Sequence, residues 1–407
     1  MNTQAANRRS VKRDLVLFSA AVALYGFSQS IVESTLNNFL DETFSITDIQ
    51  RGILELPREM PGFLVVFMGA LFFFLCARRL GALAHLFAAA GILMMGLFSP
   101  SFPVMLVWLF IYSTGIHIFL PMISSIGMEF AEKGKTGSRL GQLNGVMNFA
   151  AIAGSFIVFL GFRFLDFTFT LSFALSAAGF LAASALMGAM KPDRPRPAME
   201  KFILRKEYRL FYWLNILFGT RKQIFITFAP WVLVTVYAQK TQTVATLLTI
   251  GGIIGIFFKP MLGRAIDRLG ERAILMAEAA VLVFVCAGYG LSRRFSGADT
   301  ALYIACACFV IDHLLISASM ARATYLGRIA LRPGDISPTL AMGVSIDHAF
   351  SIGIALAGGL LWHLLGYEYV FLLGALIALV NLASASRIRV PSNSAPALPL
   401  EGPPPVT

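Results

Sequence analysis

Gly263-Arg264-Ala265-Ile266-Asp267-Arg268-Leu269-Gly270-Glu271-Arg272 is a charged, glycine-bounded stretch between two long apolar runs, 243–262 and 273–291. Glycine lacks a Cβ and turns the chain without steric penalty. Gly263 and Gly270 therefore predict a tight reversal between one apolar helix ending near Leu262 and another beginning at 272. Asp267, set among arginines, is expected to form ion pairs rather than merely to be solvated.

The same alternation of apolar runs and short charged turns extends over all 407 residues, which are 57% hydrophobic and only 14% charged. Soluble domains carry about 25% charged residues, and the mean hydropathy here is +0.74. Apolar runs long enough to cross a bilayer recur throughout, and helices satisfy their own backbone in lipid. The expectation is an all-α membrane protein with spans near 14–39, 49–77, 81–99, 103–130, 138–162, 167–190, 208–238, 243–262, 272–292, 299–322, 337–365 and 367–386. Residues 1–13 form a basic tail, and Lys191-Pro192-Asp193-Arg194-Pro195-Arg196-Pro197 opens a linker, 191–207, that proline keeps from being helical. The expected domains are thus 14–190 and 208–390, each of six helices, with a disordered Pro-, Ser- and Ala-rich tail at 391–407.

The net charge of +11 is not a nucleic-acid footprint, because its residues sit in short loops. Of 33 Lys and Arg, 25 fall in loops on the side of the N-terminus, and Arg51, Arg163, Lys240, Arg293 and Arg294 fall opposite. The positive-inside rule then places both termini in the cytoplasm. No cleavable signal peptide is expected, since the first apolar run is too long and carries Glu33. Cys76, Cys286, Cys306 and Cys308 read as small buried residues.

Twelve helices in two sets of six around a basic linker, with the charged turn after the eighth, resemble the major facilitator superfamily of transporters, whose signature loop reads Gly-x-x-x-Asp-Arg-x-Gly-x-[Arg/Lys]. A second, weaker copy, Phe74-Leu75-Cys76-Ala77-Arg78-Arg79-Leu80-Gly81, follows helix 2, with Phe74 in place of the first Gly and Arg78 in place of the Asp. The resemblance implies two six-helix bundles related by a pseudo-two-fold axis, alternating access, and a gating role for Gly263, Arg264, Asp267, Arg268, Gly270 and Arg272. It also implies that helices 1, 4, 7 and 10 line a central cavity.

Ionisable residues at membrane depth are costly and usually functional, and each of those four helices has one: Glu33, His117, Arg221 with Lys222, and Asp312 with His313. Arg221 lies about 20 Å into its helix at ~1.5 Å per residue, too deep to snorkel, and is expected to need a carboxylate, Asp312 or Asp347. Asp347 and His348 lie on helix 11. Glu55, Arg58 and Glu59 surround Pro57 on helix 2, as a bracing ion-pair knot or a solute contact. A core hydrogen bond is the alternative for His117, and a structural Asp–His or Asp–Arg pair for Asp312 and Asp347. Asn144, Asn148, Gly141, Gly145 and Gly154 suggest helix packing.

The reading is a secondary transporter of the inner membrane for a small anionic or zwitterionic organic solute, coupled to protons, with no cofactor and no nucleic-acid partner. Arg221, Lys222, Arg58, His117 and Glu33 are the expected solute contacts, and Asp312, Asp347, His313 and His348 the proton carriers. One alternative is a divalent-cation carrier using Asp312, His313, Asp347 and His348, whose ligand types suit first-row metals. Another is a non-transporting receptor or scaffold in the bilayer. An enzyme is not expected, because no nucleophile–base pair with an orienting group stands out. Topology is checked by cysteine labelling: probes at Ser10 and in 191–206 should react only from the cytoplasm, and one at Gln242 only from outside.

Overall fold

The computed structural model describes residues 2–71, 74–131, 136–192, 204–332 and 335–389. Most of the expected linker, Lys133, Lys135 and the whole expected tail at 391–407 lie outside the described residues. Regular structure among the described residues is helical throughout: α1 (Asn2–Phe44), α2 (Asp48–Ile53), α3 (Glu55–Leu71), α4 (Ala77–Leu97), α5 (Phe102–Glu129), α6 (Thr136–Phe164) and α7 (Phe169–Ala189), then α8 (Arg209–Trp231), α9 (Thr241–Phe295), α10 (Ala298–Leu315), α11 (Ser319–Ile329), α12 (Ile336–Leu365) and α13 (Tyr367–Ala385).

Nine of these, some joined across short turns, are long and apolar enough to cross a membrane among the described residues. The chain is a multi-pass membrane protein. That number holds of the described residues, and residues 72–73 within the second expected span, 49–77, lie outside them. The second expected span begins where Thr47 caps α2 in a reciprocal capping box with Gln50, and Leu54, between α2 and α3, keeps helical backbone angles. The seventh, α8, is an unbroken helix that carries Arg209, Arg221 and Lys222. The eighth and ninth are numbered together as α9 but are two helices separated by a kink at Gly270, with φ 81° and ψ 162°.

The organising turn is thus narrower than its glycines suggest. Gly263 remains helical, and Gly270 alone takes the backbone out of the helix, in a region that other residues scarcely visit. Helix α10 likewise continues through a 3-10 turn, Ile316–Ala318, into α11 rather than ending at 322. Pro230 removes a backbone donor near the end of α8. Beyond it a π turn, Val232–Val236, closes with Tyr237 N–H donating to the Val232 carbonyl at 3.1 Å.

The residues form two compact units, one of 1–44, 64–199 and 241–252, the other of 45–63, 200–240 and 253–407. In the first, α4 packs on α5 and α7, and α1 on α6 and α7. A Cβ at Gly91 would strike the backbone of Trp108 and Tyr112, which fixes how closely α4 and α5 approach. Tyr25, His85, Phe119 and Phe180 stack inside, with His85 and Phe119 centroids 4.1 Å apart. Of the three glycines expected to pack closely on α6, Gly154 meets Phe27 and Ser30, whereas nothing lies within 4 Å of a Cβ at Gly141 or Gly145. Asn148 donates to the Gly252 carbonyl at 3.3 Å, a helix-to-helix tie, and Asn144 to the Leu140 carbonyl of its own helix.

In the second unit α8 is central and packs on α10, α11, α12 and α13. Tyr208, Phe211, Leu214, Ile266, Leu275, Tyr325 and Leu326 share one buried cluster. The Tyr208 hydroxyl donates to Asp335 at 2.8 Å and accepts from the Leu331 N–H at 2.9 Å, pinning the α11–α12 connection.

Substitution separates the two glycines of the turn. Gly270→Ala should lower thermal stability by about 1–3 kcal/mol, because its φ is the strained one. Gly263→Ala, with open space around the added carbon in a helical backbone, should be neutral or stabilising by up to about 1 kcal/mol. Thermal unfolding of the purified variants in detergent checks both.

Candidate functional site

Three consecutive residues of α8, Arg221, Lys222 and Gln223, are polar inside an otherwise apolar helix. Each step of an α-helix turns by about 100°, so their side chains leave α8 in three directions. Each finds carboxylate on a different neighbour, all within the second unit.

Arg221 is 1% exposed and donates to Asp312 of α10 at 2.6 Å and to Glu278 of α9 at 2.8 Å. The far oxygen of Glu278 lies 3.7 Å from Arg322 of α11. Two guanidinium groups and two carboxylates thus make a buried cluster of zero formal charge. Lys222 donates to Asp347 of α12 at 2.8 Å, and these two side chains remain 14% and 13% exposed. Ser351 also donates to Asp347, at 3.4 Å. A side chain at Gly219 would occupy the position of the Asp347 carboxylate, so that glycine makes room for the pair. Gln223 donates to Glu55 of α3 at 2.9 Å and to Thr227 at 3.0 Å. Glu55 also accepts from Arg51 at 2.6 Å and from Arg58 at 3.1 Å. Glu59 and His348 meet at 2.7 Å.

Several expected residues are therefore brought together, though in other combinations. Arg221 has the expected carboxylate in Asp312. Asp312 and Asp347 do not share a site, and neither pairs with its neighbouring histidine: His348 turns to Glu59, and His313 makes no hydrogen bond among the described residues. The four residues of the divalent-cation alternative are not gathered within ligating distance among the described residues, and both of its carboxylates are committed to cations. Arg58 joins the expected knot with Glu55. In the first unit, His117 bonds to the Ser113 hydroxyl at 3.0 Å and carbonyl at 2.9 Å. Glu33 is exposed and accepts from Gln29 at 3.1 Å.

In the turn, Arg264, Asp267, Arg268 and Arg272 are exposed. The expected pairing of Asp267 does not occur among the described residues. The buried Glu271 takes that part instead, with Arg328 at 2.7 Å. The first copy of the turn proves to be connected: Arg78 bridges Asp14 at 3.3 Å and Glu129 at 3.6 Å, and lies 5.4 Å from the Phe130 ring centroid.

Sequence reasoning missed Glu278, although a lone acid in Leu275-Met276-Ala277-Glu278-Ala279-Ala280 was a visible signal. It assigned Arg51 and Arg322 to loops, whereas the structure buries both, at 0% and 3% exposure.

No family model matches the chain, and no curated protein matches it in sequence. Solved structures do match. The nucleoside transporter NupG superposes with a TM-score of 0.71 at 13% identity, over 91% of this chain and 98% of that one. A POT family transporter in complex with 5-aminolevulinic acid gives 0.72 at 13% identity, over 92% and 94%. The inward open xylose transporter XylE from E. coli gives 0.70 at 12% identity, over 94% and 97%. The chain has the fold of the major facilitator superfamily transporters.

Removing one member of a buried pair costs about 3–5 kcal/mol, whereas replacing both by apolar groups is often near neutral. Arg221→Met should therefore be strongly destabilising in thermal unfolding, and Arg221→Met combined with Asp312→Leu should recover part of the loss. Simple additivity of the two changes would show that the pair is not coupled.

Proposed function

We propose that the protein is a secondary transporter that moves a small anionic or zwitterionic organic solute across the inner membrane by alternating access, coupled to protons, with both termini cytoplasmic. The observation that carries this reading is the arrangement of cations on α8. Arg221 and Lys222 stand at membrane depth, and each is held by carboxylate from another helix. Such pairs are poised for exchange, since a charged solute substitutes for one partner without leaving a bare charge in a medium where that is expensive. Lys222 and Asp347 are the more accessible pair. A solute anion competing for Lys222 releases Asp347, and the freed carboxylate takes up a proton to remain neutral. Solute and proton movement are then linked through one ion pair. The fold supports the reading, since the three solved structures named above are those of transporters, one in complex with 5-aminolevulinic acid.

Arg221 and Asp312 lie deeper and hold the helices that carry the exchanging pair. Glu59 with His348 offers a second proton-accepting pair, and the turn at Gly263–Arg272 is assigned to the cytoplasmic gate.

Proteoliposome flux with a panel of organic anions, zwitterions, neutral solutes and divalent cations tests the class. Lys222→Ala should reduce uptake of the transported solute at least ~10-fold, the loss of roughly 1.4 kcal/mol or more of binding. Asp347→Asn should retain solute exchange but lose its response to an imposed pH gradient. Wild-type uptake by Lys222→Ala would remove the pair from the mechanism, and flux confined to cations would overturn the solute class.

A further inference from the structure

Three arginines of the second unit are buried among the described residues: Arg51, Arg221 and Arg322. Arg51 and Arg221 each have a carboxylate oxygen at 2.6 Å. Arg322 does not. Its nearest carboxylate oxygen, on Glu278, is 3.7 Å away, and that carboxylate is already engaged by Arg221 at 2.8 Å. Among the described residues the Arg322 Nη2 donor and the Glu278 Oε2 acceptor are both buried and without a hydrogen-bond partner, as are the Arg51 Nε, Arg51 Nη2 and Arg221 Nε donors. What holds Arg322 is a ring: its guanidinium carbon lies 3.5 Å from the Phe218 centroid. Arg221 Cζ and Lys222 Nζ lie farther from the same centroid, at 5.2 and 5.8 Å.

A guanidinium stacked on an aromatic face keeps its in-plane donors directed outward, and those donors match the two oxygens of a carboxylate. We propose that Arg322, stacked on Phe218, is the subsite for the carboxylate group of the solute. The inference rests on the reading that the protein carries an anionic or zwitterionic solute, and it narrows that class to carboxylates. Arg221 is excluded from the part because two carboxylates already neutralise it. A solute carboxylate on Arg322 supplies the close counter-ion that Glu278 does not.

The test uses acetate as the minimal probe and acetamide as its uncharged isostere. Each is titrated into the purified full-length protein in detergent, with sodium chloride holding ionic strength constant, and thermal unfolding is followed. Acetate should raise Tm saturably by about 2–4 °C, and acetamide should not. Arg322→Lys keeps the charge but loses the planar fork, and Phe218→Leu keeps the bulk but loses the ring face. Each should raise the half-saturating acetate concentration by at least ~10-fold. Arg294→Gln, at an exposed arginine, should leave it unchanged. If acetate acts no differently from acetamide on the wild type, or if both variants respond as the wild type does, the subsite is wrong. Organic-anion uptake that Lys222→Ala abolishes, together with indifference to acetate, would remove the subsite and leave the transport reading intact. A specific acetate response without any flux would do the reverse.

Discussion

An arginine cannot shed its charge in an apolar interior, and α8 presents Arg221 there with a lysine and a glutamine immediately after it. Because successive helical residues point about 100° apart, no single neighbour can serve all three. Carboxylates must arrive from several helices, and they do: Glu278 from α9, Asp312 from α10, Asp347 from α12 and Glu55 from α3. The helix order of the second unit is thus written partly in electrostatics. Apolar packing alone is permissive in lipid, where tails compete equally well for a leucine. The ion pairs discriminate, because a helix placed wrongly leaves a bare charge.

The class of fold was legible because it rests on coarse features: the length of apolar runs, the loop charge bias and one glycine-bounded turn. The pairing of Arg221 with Asp312 followed from depth. The losses share a cause. Hydropathy leaves the charged margins of a span undecided, so Arg51 and Arg322, at the edges of the expected spans 49–77 and 299–322, count with the loop charges. The capping box at Thr47 starts α2 ahead of Arg51, and a 3-10 turn carries α10 on into α11 past Arg322. Both arginines are consequently inside. Of the alternatives open for Asp312 and Asp347, the Asp–Arg pair forms at Asp312 and the Asp–His pairs do not, since adjacent residues such as Asp347 and His348 face different helices and find Lys222 and Glu59.

The two copies of the charged turn show how such a device can be rewired. Arg78 stands where the second copy has Asp267, and it pairs with Asp14 and Glu129, whereas Asp267 makes no ion pair among the described residues. In the second copy the buried acid is Glu271, just past Gly270, rather than Asp267. The ion pairs persist although the residues that supply them change, and a pattern of letters loses sight of a bond that has changed position.

The sequence distances within the α8 cluster bear on how the protein enters the bilayer. Partners of Arg221 and Lys222 lie 57, 91 and 125 residues further along the chain. At about 5–20 residues per second of synthesis, the last of them follows α8 by roughly 6–25 s. Each unpaired cation at the centre of a lone helix disfavours insertion by about 2.5–3.5 kcal/mol. Only Glu55, 168 residues earlier, is already made when α8 emerges, and its bond is to Gln223. The newly made α8 is therefore a poor membrane segment by itself. Its lasting residence in lipid waits on α9, α10 and α12, so biogenesis of the second unit is completed from its end backwards.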